Sequence, residues 1–200
     1  MNHPSIELVL NRLDSLGTPA FTGRMNLTLL GIRARPEHSV PNTFEDLLGA
    51  IYQNDQLNWQ IELFPGTTKP GRYWLENPGR VNGTGILLPG RHRLCWTFGM
   101  HRGQYRALCQ RAPMHFVRDN DRDALPEVEG PDVGAPFDAI IGCNLHHAAV
   151  SHRSTKVDKW SSACQVVQDI EHFDRIMALS DLSAVRYDSN FSYTLLDDWR

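Results

Sequence analysis

Four Pro-Gly dipeptides crowd the stretch 65–90: Pro65-Gly66, Pro70-Gly71, Pro78-Gly79 and Pro89-Gly90. Proline removes an amide donor and fixes φ, and glycine reaches backbone conformations closed to other residues, so each pair reads as a turn. No long helix can run through such a segment. The runs between the turns carry the period of strands. Trp59, Ile61 and Leu63 alternate with polar residues, which suits a half-buried strand. Tyr73–Leu75, Gly85–Leu88, Arg93–Phe98, Tyr105–Leu108 and Met114–Val117 are further predicted strands. The middle of the chain is therefore expected to be a compact β structure with tight connections.

The flanks differ. Ile6, Val9, Leu10, Leu13 and Leu16 recur at spacings of three and four, the signature of an amphipathic helix, and Gly17 and Pro19 end it. Residues 1–20 are expected to form an N-terminal helical arm and residues 21–200 a single domain. Met25–Ile32 reads as a strand. Asn42-Thr43-Phe44-Glu45 has the form of a capping box and predicts a short helix through Leu47, Leu48 and Ile51. Arg118–Pro136 is charged and turn-rich, so it is read as an exposed loop. Ala139–Leu145 is expected to be a strand and Ala148–Lys159 a polar loop. Asp169–Leu179 predicts a helix with Ile170, Phe173, Ile176 and Met177 inward, followed by an aromatic, acidic tail. The fold class expected is mainly β (α+β), a sheet or sandwich with an N-terminal helix and a second helix after Cys164.

Composition narrows the function. A formal net charge of −3 argues against binding nucleic acid by broad phosphate neutralisation. No apolar run reaches the length of a membrane span, and the first residues lack the basic start and apolar block of a signal peptide. The four cysteines, Cys95, Cys109, Cys143 and Cys164, form no C-x-x-C pair. In a reducing compartment they are expected to stay thiols, three of them in the core.

The chemistry concentrates in 140–167, which reads IIGCNLHHAAVSHRSTKVDKWSSACQVV. A strand delivers His146 and His147, a polar loop follows, and Ser161-Ser162-Ala163 lead into Cys164. A thiol becomes a nucleophile on losing its proton, and an imidazole within reach can take that proton and return it to a leaving amine. The small residues Ser162 and Ala163 would admit a substrate carbonyl and leave backbone amides to hold an oxyanion. His146 and His147 are neighbours, so on a strand they face opposite ways and one alone can serve Cys164. Arg153, Lys156 and Lys159 form a basic cluster that could meet substrate carboxylates, or be a solvated loop. A metal reading is also open, since Cys143, His146, His147 and His152 are close in sequence, although no second pair at ligand spacing and no H-E-x-x-H accompany them. Asp119–Asp123 resembles the start of a calcium loop. Ala124 and Gly130 stand where that loop needs glycine and glutamate, so an acidic surface turn is expected.

The same stretch resembles the signature of the L,D-transpeptidase (YkuD-like) catalytic domain: a histidine, a loop, then Ser/Thr-His-Gly-Cys. His146 matches the base, Ser161 the Ser/Thr and Cys164 the nucleophile, 18 positions after the histidine (164 − 146). Ser162 replaces the family's second histidine and Ala163 its glycine, and Gln165 follows the cysteine in place of an apolar residue. The segment also resembles phage and bacterial proteins that share a Trp-Ser-x-x-Cys-Gln core. The resemblance implies attack by Cys164 on peptidoglycan stem peptides through a thioester acyl-enzyme, with His146 as base and no cofactor. Ser161 is then expected to fix the turn or orient the imidazole, and Ala163 and Ser162 to shape the oxyanion site. His147, Arg153, Lys156, Lys159, Trp160 and Gln165 are then the expected substrate contacts. Lacking an export signal, such a protein is expected to be made in the cytoplasm and to reach the wall after release or injection, which tilts the expectation to hydrolysis over cross-linking. A non-enzymatic wall-binding or phage structural protein is the alternative from a different class.

Overall fold

A computed structural model of the chain describes residues 3–35 and 40–199. The first two residues of the expected arm, and the last of the expected tail, lie outside these. The elements in order are α1 (Ile6–Ser15), β1 (Thr28–Ala34), β2 (Asp46–Gln53), β3 (Trp59–Thr67), α2 (Arg72–Glu76), β4 (Thr84–Leu87), β5 (Gly90–His101), β6 (Tyr105–Gln110), β7 (Met114–Asp119), β8 (Phe137–Ala139), β9 (Leu145–His147), β10 (Gln165–Val167), α3 (Ile170–Arg186) and β11 (Asn190–Trp199). The fold is mainly β with a helix near each end, as the patterning predicts. Eight strands close into a barrel in the order β1-β11-β5-β6-β9-β10-β3-β2, and β4-β7-β8 form a small separate sheet. Closure removes the exposed edges that an open sheet of this length would leave. Within the barrel β1/β11 and β9/β10 are parallel, and the other neighbours are antiparallel. No helix among the described residues is long and apolar enough to cross a membrane.

Alternation sorts the barrel residues. Leu29, Leu48, Ala50, Trp96, Leu108, Leu145, Val167, Tyr193 and Leu195 belong to the main core. Phe173, Ile176, Met177 and Leu179 from α3 pack into that same core. On the outside, α1 lays Val9 and Leu13 against Leu30, Ile32, Leu47, Ile51, Leu63 and Leu196. The Ser5 hydroxyl caps α1 by accepting from the Leu8 amide, and the Asp169 carboxylate does the same for α3 from Glu171.

Several expectations need correction. The segment after Asn42 is β2, not a helix. It is buried on both faces, inside by the barrel core and outside by α1, so its apolar run has no alternation to display. Asn42 sits at φ +64 and spends its side chain on other segments, so no helix is capped there. Tyr73–Leu75 falls inside the short helix α2. Pro65-Gly66 is no turn but lies within β3. There Pro65 faces Leu47 of β2, and β10 pairs only from Gly66 onward, so the missing amide breaks no ladder bond to β10. The C-terminal tail is β11, a central strand between β1 and β5 with Phe191, Tyr193 and Leu195 inside.

The predicted strand Ala139–Leu145 is split. β8 ends at Ala139 and β9 begins at Leu145. Between them the chain crosses from the small sheet to the barrel, with Gly142 at φ +84. The buried Gln110 side chain stands in for the missing ladder. Its Oε1 accepts from the amides of Ile141, Gly142 and Cys143 at 2.9, 3.0 and 2.9 Å, and its Nε2 donates to the Ala112 and Ala139 carbonyls. Gln110→Leu would orphan these groups. It is expected to cost about 3 kcal/mol, read as a lowered denaturant midpoint with unchanged slope, whereas Gln110→Glu, which keeps the acceptor, should cost less.

Candidate functional site

The parallel pair β9/β10 places the two residues of the motif. His146 is the register partner of Val166. Val166 and Cys164 lie two apart and pack in one outer cluster with Phe44, Ala148 and Val157, so His146 and Cys164 share the outer face of the sheet. One strand spacing and a two-residue offset separate their Cα atoms by about 8 Å. His147 takes the opposite face, stacking on Tyr105 at 4.2 Å and meeting the edge of Phe173 at 5.1 Å.

The hydrogen bonds define the state of the His146 ring. Its Nδ1 lies 2.8 Å from the His147 carbonyl oxygen, which can only accept, so Nδ1 carries the proton. Nε2 is then a bare acceptor, and it has no hydrogen-bond partner. The face of the ring stacks on His101 at 4.0 Å. His101 is itself oriented by Asn144. The Asn144 Oδ1 accepts from the Gln110 amide, which leaves Nδ2 to donate to the His101 Nδ1 at 3.1 Å. Burial and the neighbouring His101 push His146 down to about 3, and burial with Arg102 pushes His101 down to about 4. Both rings are neutral at neutral pH.

The segment before Cys164 is gripped from inside the barrel. The Ala163 carbonyl accepts from the Cys143 thiol at 3.1 Å and from Gln165 Nε2 at 3.3 Å. Gln165 is fixed in turn by the Tyr193 hydroxyl, 2.7 Å from its Oε1. In a trans peptide the N–H opposes the C=O, so the Cys164 amide points outward. Among the described residues the amides of Ser162, Ala163 and Cys164 donate to no protein acceptor. The Ser161 hydroxyl donates to the Cys164 carbonyl at 2.8 Å and closes the turn, and the Gly71 amide donates to the Ser161 carbonyl. A Cβ at Gly71 would lie 2.2 Å from the Asp158 carbonyl oxygen, so only glycine lets the two chains meet.

The sulfur itself is buried. Cys164 is 8% exposed and its thiol lies 3.4 Å from the Gly142 carbonyl. Burial raises the thiol to about 11, against the opposing pull of the Asn144 amide and the Arg102 charge. At rest the thiol and the imidazole are both neutral, and no hydrogen bond joins Cys164 Sγ to His146 Nε2.

The remaining predicted residues separate. His147, Lys159 and Trp160 line a cavity of about 250 Å³ together with His101, Tyr105 and His146. The Lys159 ammonium rests 4.3 Å from the Tyr73 ring centroid. Arg153 donates to Gln168 Oε1, and Lys156 and His152 are exposed on the loop, so the expected basic cluster does not converge. Gln165, expected at the substrate, is turned into the barrel and fully buried. Among the described residues no three His, Cys, Asp or Glu side chains gather as a metal-binding group. Asp119–Asp123 closes on itself, with Asp121 and Asp123 accepting from amides two residues on.

The pattern along the chain did not reveal His101, Arg102, Asn144 or Asn42. His101 and Arg102 come from the β5–β6 hairpin, and only the barrel brings them to β9. Asn42 accepts from the Val157, Asp158 and Arg72 amides and donates to the Asp158 carboxylate at 2.6 Å, tying the loop before Cys164 to β2 and α2. Asn42 was legible only as a helix cap.

The buried histidines make stability depend on pH. Above about 6.5 the imidazoles are neutral in both folded and unfolded chains. As pH falls below that value the unfolded chain takes protons that His101 and His146 refuse until about 4 and about 3, so the folded state loses stability. The melting temperature is expected to fall between pH 7 and pH 4, less steeply in His101→Gln, and a flat or rising curve would contradict the assignment. Comparison with known proteins gave no matching family model, no matching curated sequence and no matching solved structure.

Proposed function

We propose that the chain is a cysteine-dependent acyl-transfer enzyme of the kind its motif resembles, cleaving peptide stems of bacterial peptidoglycan with water as acceptor. The observation that carries this reading is the bare His146 Nε2 on the same sheet face as Cys164, beside backbone amides with no acceptor of their own. Such an arrangement supplies a base, a nucleophile and donors for a developing oxyanion.

The steps follow from the atoms. As Cys164 Sγ bonds to the substrate carbonyl carbon, its proton passes to His146 Nε2. The carbonyl oxygen takes the negative charge and is held by the outward amides of Cys164 and its neighbours. The carbon–nitrogen bond then breaks, and the proton moves from Nε2 to the leaving amine. Water attacks the thioester, gives a proton to Nε2, and the sulfur leaves and recovers that proton. The His147 carbonyl holds the imidazole through Nδ1 throughout. Because the resting thiol stays protonated, proton transfer and attack must be concerted. Cys164 is buried in one cluster with Phe44, Ala148, Val157 and Val166, so attack requires these side chains to give way.

The buried thiol favours a second reading, a wall-binding protein without turnover. Digestion of purified peptidoglycan with product masses separates the two. The expected result is release of cleaved stems by the wild type, loss of at least about a thousandfold in Cys164→Ala with its fold intact, and no new cross-links. Cross-linked products would assign transpeptidation. Binding without cleavage, or full activity in Cys164→Ala, would refute the nucleophile. Activity should also persist at pH 5, where an unperturbed imidazole would be largely protonated, since His146 is held near 3.

A further inference from the structure

On the other flank of the segment 161–164 lies a cavity of about 190 Å³ whose wall includes Ser162, Ala163, Gly83, Gly85, Arg80 and Arg118. It exists because a side chain is missing. Gly85 on β4 pairs with Arg118 on β7, and a Cβ at Gly85 would come within 3.0 Å of the Ile141 side chain and 3.7 Å of the Ala163 Cβ. Arg118 is half-buried. Its Nη1 donates to the Gly83 carbonyl at 2.9 Å, and its guanidinium lies 5.2 Å from the Phe137 ring centroid. No carboxylate among the described residues forms an ion pair with Arg118 or Arg80. The two cations instead work against each other: burial lowers Arg118 first, and the charge of Arg80 lowers it further. A half-buried guanidinium with free N–H groups, a second cation at the same opening and no acid to balance them is the chemistry of an anion site.

We propose that this cavity receives a free carboxylate of the peptide substrate, held by Arg118 with Arg80 at its mouth. The assignment of the anion as part of the substrate rests on the acyl-transfer reading. Since Ser162 and Ala163 form the wall, the carboxylate sits next to the residues that precede the nucleophile. The enzyme then selects peptides whose reacting carbonyl lies close to a free acid group. This role had been expected of Arg153, Lys156 and Lys159, which do not converge.

The test is binding, so it does not depend on turnover. Cys164→Ala protein is titrated with N-acetyl-alanyl-alanine and with its C-terminal amide, and the backbone amide resonances are followed by NMR. The carboxylate peptide is expected to bind at least about tenfold more tightly, with the largest shifts at Gly83, Gly85 and Ala163. Arg80→Gln on the same background should reduce that preference. Arg118→Gln should abolish it, and Arg118→Lys should keep part of it while the fold is verified by the same spectra. Equal affinity for acid and amide, a preference that survives Arg118→Gln, shifts that map elsewhere, or no binding of either peptide would overturn the proposal. Carboxylate preference in a protein that cleaves no wall would uphold the anion site and overturn only the catalytic reading.

Discussion

The Ala163 carbonyl is the hinge of the structure. It is held from within the barrel by Cys143 and by Gln165, and Gln165 is held by Tyr193, whose ring packs 4.5 Å from Trp96. Polar groups this deep are tolerated only when satisfied, and here each one has its partner. One consequence reaches the surface. With the carbonyl pinned inward, the following amide must face out, and Cys164 is delivered to the outer face that His146 also takes. That peptide group is one of the links between the barrel core and the site. Gln165, where the motif that the segment resembles has an apolar residue, faces the barrel and makes this internal bond.

A second constraint is electrostatic. Burial keeps His101, His146 and Cys164 neutral at rest. Many cysteine enzymes instead lower the thiol with a charged partner. Neutrality makes folding less costly, because these three groups bring no charge to desolvate, and in the proposed mechanism it leaves attack to be driven by proton transfer. Arg102 favours the thiolate through its charge. It sits on the hairpin next to His101, where a substrate entering the cavity would change its solvation.

Much of this architecture was legible in the chain, and the failures have physical causes. β3 to β7 show period two or tight turns, and α1 and α3 show helical spacing, with Gly17 and Pro19 ending the first. The sequence of β2 carries no strand signal because both its faces are buried, which erases alternation. β11 reads as a tail because Asp197 and Asp198 lie at its end, although Phe191, Tyr193 and Leu195 alternate inward. The crossing at 140–144 has no local signal, since its support is one glutamine thirty residues earlier in the chain. His146, Cys164 and Ser161 could be picked from spacing and residue type. His101, Asn144 and the arginine pair could not, because closure of the barrel and the docking of the small sheet bring them together.

Catching the acyl-enzyme tests the account most directly. Protein mixed with purified peptidoglycan stem peptides and quenched in acid is digested and weighed by mass spectrometry. An acyl adduct confined to the peptide that contains Cys164, absent when His146 is replaced by glutamine, is the predicted result. A Cys164 that remains unmodified while the stems are cleaved, or an adduct that forms equally well without His146, would contradict it.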